Sequence, residues 1–177
     1  MERELLHQRE LRFRGYKRSD GLYEIEGRVL DTKPLDFSIP NGGRLIEAYR
    51  PIHDLSVCIV FKKNMEIVAV NSNPQSYPYH DCQFGGRQLE NLIGARIGPG
   101  WQRTIRERIP KKDVCTHLRE LLIPLASAAI QSMHLEREIE AYKVDENGQP
   151  IRLNSCLAYN ESGALVREYW PEFYKDN

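Results

Sequence analysis

The sequence predicts an α+β protein in which an antiparallel sheet is packed on one face by about three helices. Three observations carry that expectation. Short runs rich in β-branched and aromatic residues recur in the first half of the chain, punctuated by Asp, Asn and Gly. The turn at Lys62-Lys63-Asn64 is too short to join anything but antiparallel strands. Over residues 114–133, VCTHLRELLIPLASAAIQSM, the side chains Leu118, Leu121, Leu122, Leu125, Ala129, Ile130 and Met133 recur at helical spacing, which defines an amphipathic helix with one face in the core. At 177 residues the chain is expected to form a single domain over 1–177.

Residues 11–16 and 22–30 flank Ser19-Asp20-Gly21 and predict a first hairpin. In its second strand Tyr23, Ile25 and Val29 share one parity, while Glu24, Glu26 and Arg28 share the other and form a wet face; Gly27 predicts a bulge. Residues 31–44, rich in Pro, Gly and Asn, read as an ordered loop. The runs 52–61 and 65–70 predict a second hairpin at the centre of the sheet, followed by a Pro- and Tyr-rich loop over 73–81 that ends at Cys82. A short helix around Leu89 and Leu92 closes at Gly94, and a second carries Trp101, Ile105 and Ile109 between Gly98-Pro99-Gly100 and Pro110. Pro124 is expected to kink or divide the long helix, and 136–142 to prolong it. Residues 151–159 and 164–170, around Asn160-Glu161-Ser162-Gly163, read as a terminal hairpin.

Twenty-five basic residues against 25 acidic ones leave no long-range attraction toward nucleic acid or an anionic membrane. The first residues are charged throughout and lack the apolar run of a secretory signal, and no stretch reaches the length of a membrane span. Cytoplasmic residence is the expectation. Cys58, Cys82, Cys115 and Cys156 are then free thiols or ligands rather than disulfides. The expected partner is a small molecule or a protein, and self-association is left open.

Candidate chemistry gathers at element ends. Cys115 and His117 stand at a helix start, where unpaired backbone N–H groups favour a thiolate; His53 and Asp54 open the first central strand; Cys82 sits where a loop enters a helix. Thiolate, imidazole and carboxylate are the donors that zinc or iron accepts, so Asp54, Cys82, Cys115 and His117 form a candidate set for a transition metal or an iron–sulfur cluster, with His53 nearby. No CxxC pair or HExxH helix fixes such a site locally. Within a helix Cys115 and His117 would point about 200° apart, so they converge only if Cys115 precedes the first turn, with Thr116 or Asp113 as cap. Cys58, between Val57 and Ile59, reads as a core residue, and Cys156 as a weaker ligand candidate. The alternative is a metal-independent enzyme with no cofactor. In it Cys115 with His117 would be the nucleophile, or His53 with Asp54 the general base, and Trp101 and Arg103 would help bind a small aromatic or carboxylated molecule. A noncatalytic partner-binding protein is the third reading.

The segments RGYKRSDGLYEIEGRVLDTKPLDF, EAYRPIHDL, LIGARIGPGW, CTHLRELL, CLAY and WPEF resemble a bacterial family catalogued as a domain of unknown function. That resemblance spans nearly the whole chain. It implies a single-domain bacterial protein and supplies no established activity. The family pattern places histidine after the last cysteine, where this chain has Leu157. A fainter layout, a central hairpin beginning near Asp54, then Cys82 before a helix, then a long helix opened by Cys115, is similar to the iron–sulfur assembly scaffolds. This likeness implies Asp54, Cys82 and Cys115 around one site, with His53 standing where a scaffold has its first cysteine region.

Overall fold

The computed structural model describes residues 1–41, 44–136 and 143–176. Their contacts fall into two compact units, Met1–Met133 and His134–Asn177. The first unit is built on a four-stranded antiparallel sheet of strands β1 (Gln8–Lys17), β2 (Tyr23–Thr32), β5 (His53–Phe61) and β6 (Ile67–Ser76), in that spatial order. Between β2 and β5 two short strands, β3 (Phe37–Ser38) and β4 (Leu45–Ile46), pair with each other in the stretch expected to be loop. They bury Ile39, Ile46 and Ile52 in a small cluster of their own.

Strand parity decides what each face carries. On β2 the residues Tyr23, Ile25 and Val29 are buried, as their alternation predicts, while Glu24, Glu26 and Arg28 lie on the wetter face. Gly27 forms no bulge, because it stays in register with Phe13 on one side and Val57 on the other. A Cβ there would come within 3.1 Å of Leu125 on the long helix and 3.0 Å of the Phe13 ring. The glycine therefore lets helix and sheet approach closely. Register shifts occur instead between β5 and β6, at Asp54/Leu55 and Val60/Phe61. Strand β6 continues through Pro74, beyond the predicted loop boundary, which an edge strand tolerates because one side of it needs no ladder donor. Cys58 is half-buried on the wet face rather than in the core, since its neighbours Val57 and Ile59 both point inward.

The helices cover the other face. A 3-10 turn at Arg87–Leu92 buries Leu89 and Leu92 and is followed by Gly94 with φ of 79°. Helix α1 (Trp101–Arg108) then precedes helix α2 (Thr116–Ser132), which packs on β1, β2 and β5. Leu118, Leu121, Leu122, Leu125, Ala126 and Ala129 of α2 are buried, and Ile130 is exposed. Helix α2 runs through Pro124 undivided, although the proline offers no N–H to the carbonyl one turn earlier. Next to it, the buried Trp101 indole donates a 2.8 Å hydrogen bond to the Leu122 carbonyl and ties α1 to α2.

In the second unit Asp145 Oδ1 accepts bonds from the Asn147 and Gln149 backbone amides and closes the predicted turn. The expected terminal hairpin does not form. A 3-10 turn at Leu157–Tyr159, helix α3 (Ala164–Tyr169) and a 3-10 turn at Pro171–Phe173 take its place. Ala164, Leu165, Arg167 and Glu168 are good helix formers, and Pro171 stops the helix. Apart from Glu136, the expected prolongation of α2 over 136–142 lies outside the described residues. Among the described residues no helix is long and apolar enough to cross a membrane.

Trp101→Phe keeps most of the buried ring and removes its hydrogen bond. It should lower unfolding stability by about 1 kcal/mol, and Trp101→Ala by about 3–5 kcal/mol, both read by urea denaturation.

Candidate metal centre

The core-facing row of β2 does not stop at Val29. Its next member is Asp31, which is 2% exposed and, among the described residues, is the buried charged residue of the core. Register places it between Arg9 of β1 and His53 of β5, so Arg9, Asp31 and His53 form one cross-strand row on the helix-covered face. Arg9 donates to both carboxylate oxygens, Nε to Oδ1 at 2.7 Å and an Nη to Oδ2 at 2.8 Å. His53 Nδ1 lies 2.9 Å from Oδ2, and His7 Nε2 lies 3.2 Å from Oδ1.

Helix α2 supplies the remaining side chain. The Cys115 amide donates to the Gly85 carbonyl at 2.8 Å, and a Cβ on Gly85 would sit 2.5 Å from Cys115 Cβ, so only glycine lets the helix start lie against this turn. Cys115 is the residue ahead of the first turn, with φ −59° and ψ 124°, and no side chain caps the helix. Its non-helical backbone lets Sγ come to 3.8 Å from His117 Nδ1. The other ring nitrogen of His117, Nε2, is 3.9 Å from Asp31 Oδ2. The His53 and His117 rings lie with centroids 3.8 Å apart. One ligand atom from each of Asp31, His53 and His117 lies within 4.8 Å of the other two. Among the described residues this is the group of metal-capable side chains that the fold assembles, and it contains no cysteine.

The electrostatics suit ligation. Burial pushes the Asp31 carboxyl up, but the Arg9 fork and His53 outweigh it and hold the group below its ordinary range. Burial and the neighbouring His117 hold His53 below the ordinary imidazole value against the pull of Asp31. Burial and Arg9 do the same for His117. Both rings are thus neutral near pH 7, the state in which imidazole binds a metal. An Arg9 Nη also lies 3.6 Å from Glu120 of α2, linking the carboxylate pair to the helix.

His53 and His117 line a cavity of about 700 Å³, with Asp31 behind them. Cys82 and Cys115 line it as well. Four of the residues singled out in the sequence therefore share one cavity. Asp54 does not reach it. Being adjacent to His53 on a strand, it faces the opposite side of the sheet, where Arg28 grips it with two 2.6 Å bonds. The set Asp54, Cys82, Cys115 and His117 is thus not gathered at one point, and Asp31 occupies the carboxylate position. Trp101 is buried against Leu122, and Arg103 pairs with Glu107 at the surface; neither lines this cavity. Cys156 is exposed in the second unit. No local pattern in the sequence points to Arg9 or gives His7 a partner, and the parity from Tyr23 reaches Asp31 only because Gly27 makes no bulge.

The fold and site define an α+β protein in which a buried carboxylate meets two half-buried histidines at the start of a long helix. The family described as a protein of unknown function (DUF2889) matches residues 7–131, and the chain belongs to it. The matched stretch includes Asp31, His53, Cys115 and His117 and ends before the CLAY and WPEF segments. No curated protein and no solved structure matches the chain, and the likeness to iron–sulfur scaffolds gains no support from these comparisons.

Because both imidazoles stay neutral in the fold where the unfolded chain takes up protons, stability should fall as pH drops from about 6.5. A further loss should follow below about pH 4 as Asp31 protonates. Urea midpoints measured across this range should show the first slope flattened in a His53→Gln, His117→Gln double variant; a wild-type midpoint that does not move between about pH 6.5 and 5 is the contrary result.

Proposed function

We propose that the protein binds one divalent transition metal ion, zinc or iron(II), through Asp31, His53 and His117. The observation that carries this reading is the convergence of two neutral imidazoles on one oxygen of a buried carboxylate, Oδ2, at 2.9 and 3.9 Å. Two ligands each about 2.1 Å from one ion stand about 3.0 Å apart at a right angle and about 3.4 Å apart at the tetrahedral angle. The observed separations bracket that range, so ligation needs movements of well under an ångström for the carboxylate and His53. Two histidines and a carboxylate form a recurrent donor set for catalytic zinc and for non-haem iron(II), and both leave positions open.

Arg9 does not exclude the ion. A carboxylate has about four lone-pair positions, of which Arg9 takes two. What an ion displaces is the hydrogen bond between His53 Nδ1 and Oδ2, the neutral ring then carrying its one proton on Nε2. Arg9, itself paired with Glu120, then acts as the outer partner that orients the ligating carboxylate. The absence of sulfur from the ligand group favours a single ion over an iron–sulfur cluster.

Elemental analysis of untagged protein should find about one zinc or iron per chain. His117→Ala and Asp31→Asn should each lose it, while Asp54→Asn on the opposite sheet face should keep it. A metal-free wild-type protein, or full retention in both ligand variants, overturns the reading.

A second reading is favoured by the 3.8 Å approach of Cys115 Sγ to His117 Nδ1 on the cavity wall. In it Cys115 is a nucleophile with His117 as its base and Asp31 with His53 as the supporting pair, and no metal takes part. Cys58 provides an internal reference, since burial and the adjacent Glu24 and Glu26 push its thiol up to about 11. Iodoacetamide followed by peptide mapping should modify Cys115 at least about ten-fold faster than the exposed Cys156 at neutral pH, with Cys58 slowest. Labelling of Cys115 no faster than that of Cys156 counts against this chemistry.

A further inference from the structure

We infer that the 700 Å³ cavity is the binding site of a small organic carboxylate with an apolar body, seated with its carboxylate toward Asp31, His53 and His117. The inference rests on the metal reading above and adds to it the class of molecule the centre receives.

Three features of the cavity select that class. Its volume falls within the range of about 300–1,000 Å³ typical of small-molecule sites. Its wall is mainly apolar, with Phe37, Ile39, Ile52, Leu55, Phe84 and Val114 among the lining residues. Their preferred contact is hydrocarbon, because a polar body would leave its hydrogen-bonding groups without partners there. The charged lining residues Asp81, Lys112 and Asp113 are all exposed and belong to the rim. Inside, the polar side chains cluster where His53, His117 and Cys115 meet. A ligand with one polar end and one apolar end matches that division.

The charge of the polar end follows from the centre. Asp31 and Arg9 cancel, and an imidazole that ligates a metal does so uncharged. A divalent ion therefore adds two positive charges beside an apolar wall that screens them weakly. An anionic head answers that charge, and a neutral hydroxyl does not. Carboxylate fits better than phosphate, because a phosphate needs several donors around it and Lys112 on the rim is the cationic side chain of this lining. On the sheet's other face Arg12, Arg14 and Arg28 are interleaved with Glu26 around a far smaller hollow of about 220 Å³.

The test is calorimetric titration of the full chain, zinc-loaded and zinc-free, with octanoate, octan-1-ol and inorganic phosphate. Octanoate should bind the zinc-loaded protein at least about ten-fold more tightly than it binds the zinc-free protein, and at least about ten-fold more tightly than octan-1-ol or phosphate binds. Ile39→Trp, which fills the cavity from a residue that is not a ligand, should weaken octanoate by a similar factor at unchanged zinc content. If that variant does not fold, the visible spectrum of the cobalt(II)-substituted wild-type protein decides. A shift on adding octanoate, and none with octan-1-ol, supports the carboxylate reaching the ion. Zinc uptake with octanoate bound no better than octan-1-ol, or no better than phosphate, overturns the inference and leaves the metal reading intact. A protein that takes up neither zinc nor iron(II) overturns both.

Discussion

A carboxylate that is 2% exposed beneath a helix is costly to keep ionised, and the arrangement of this protein follows from how Asp31 is held. The uncompensated penalty for burying such an ion is several kcal/mol. Arg9 offsets it with a two-pronged bond from the adjacent strand, and His53 completes the match from the other side. That solution works only if β1, β2 and β5 keep their register. A slip of one residue on any of the three would turn its member of the row to the wet face. The apolar rows Leu11, Val29, Leu55 and Phe13, Gly27, Val57, directly next along the strands, enforce the alignment that the charged row requires.

The same constraint explains the helix side. His117 reaches Asp31 because Cys115 breaks from helical geometry one residue before α2 begins, and because Gly85 leaves room for that start. Farther along α2, Gly27 admits Leu125 to the sheet at close range. Two glycines thus set the approach of the helix at two points. Its first turn is carried over the end of the sheet where the two histidine rings meet. The centre is shared by four segments distant in sequence, and none of them contains a complete ligand set.

That dispersal also explains what could be read in the amino-acid sequence. The two hairpins, the buried face of α2 and the covered sheet were legible because alternation and helical spacing are local patterns. The convergence of His53, Cys82, Cys115 and His117 on one cavity was partly legible, since each sits at an element end. Asp31 was hidden by its neighbours, Pro- and Gly-rich residues that mark a loop, although its parity placed it in the core row. Asp54 stands next to His53 in sequence, yet in a strand adjacency means opposite faces. Arg9 and His7 owe their place to long-range register, which no local pattern encodes. The terminal helix was not legible because Asn160-Glu161-Ser162-Gly163 has a hairpin's turn chemistry, while the residues after it favour a helix.

Strand β1 is the outermost strand on its side, and nine of its ten residues are exposed. It nevertheless carries Arg9, and His7 just precedes it. Edge strands open before the core does, in local fluctuations that leave the rest of the sheet intact. Each fraying of β1 withdraws the guanidinium from Asp31 and His7 with it, leaving the carboxylate facing the two imidazoles of β5 and α2 without a counter-charge. The electrostatic character of the centre is therefore coupled to the protection of one peripheral strand, and whatever pairs with or pins that edge from outside also sets how often the carboxylate is left bare.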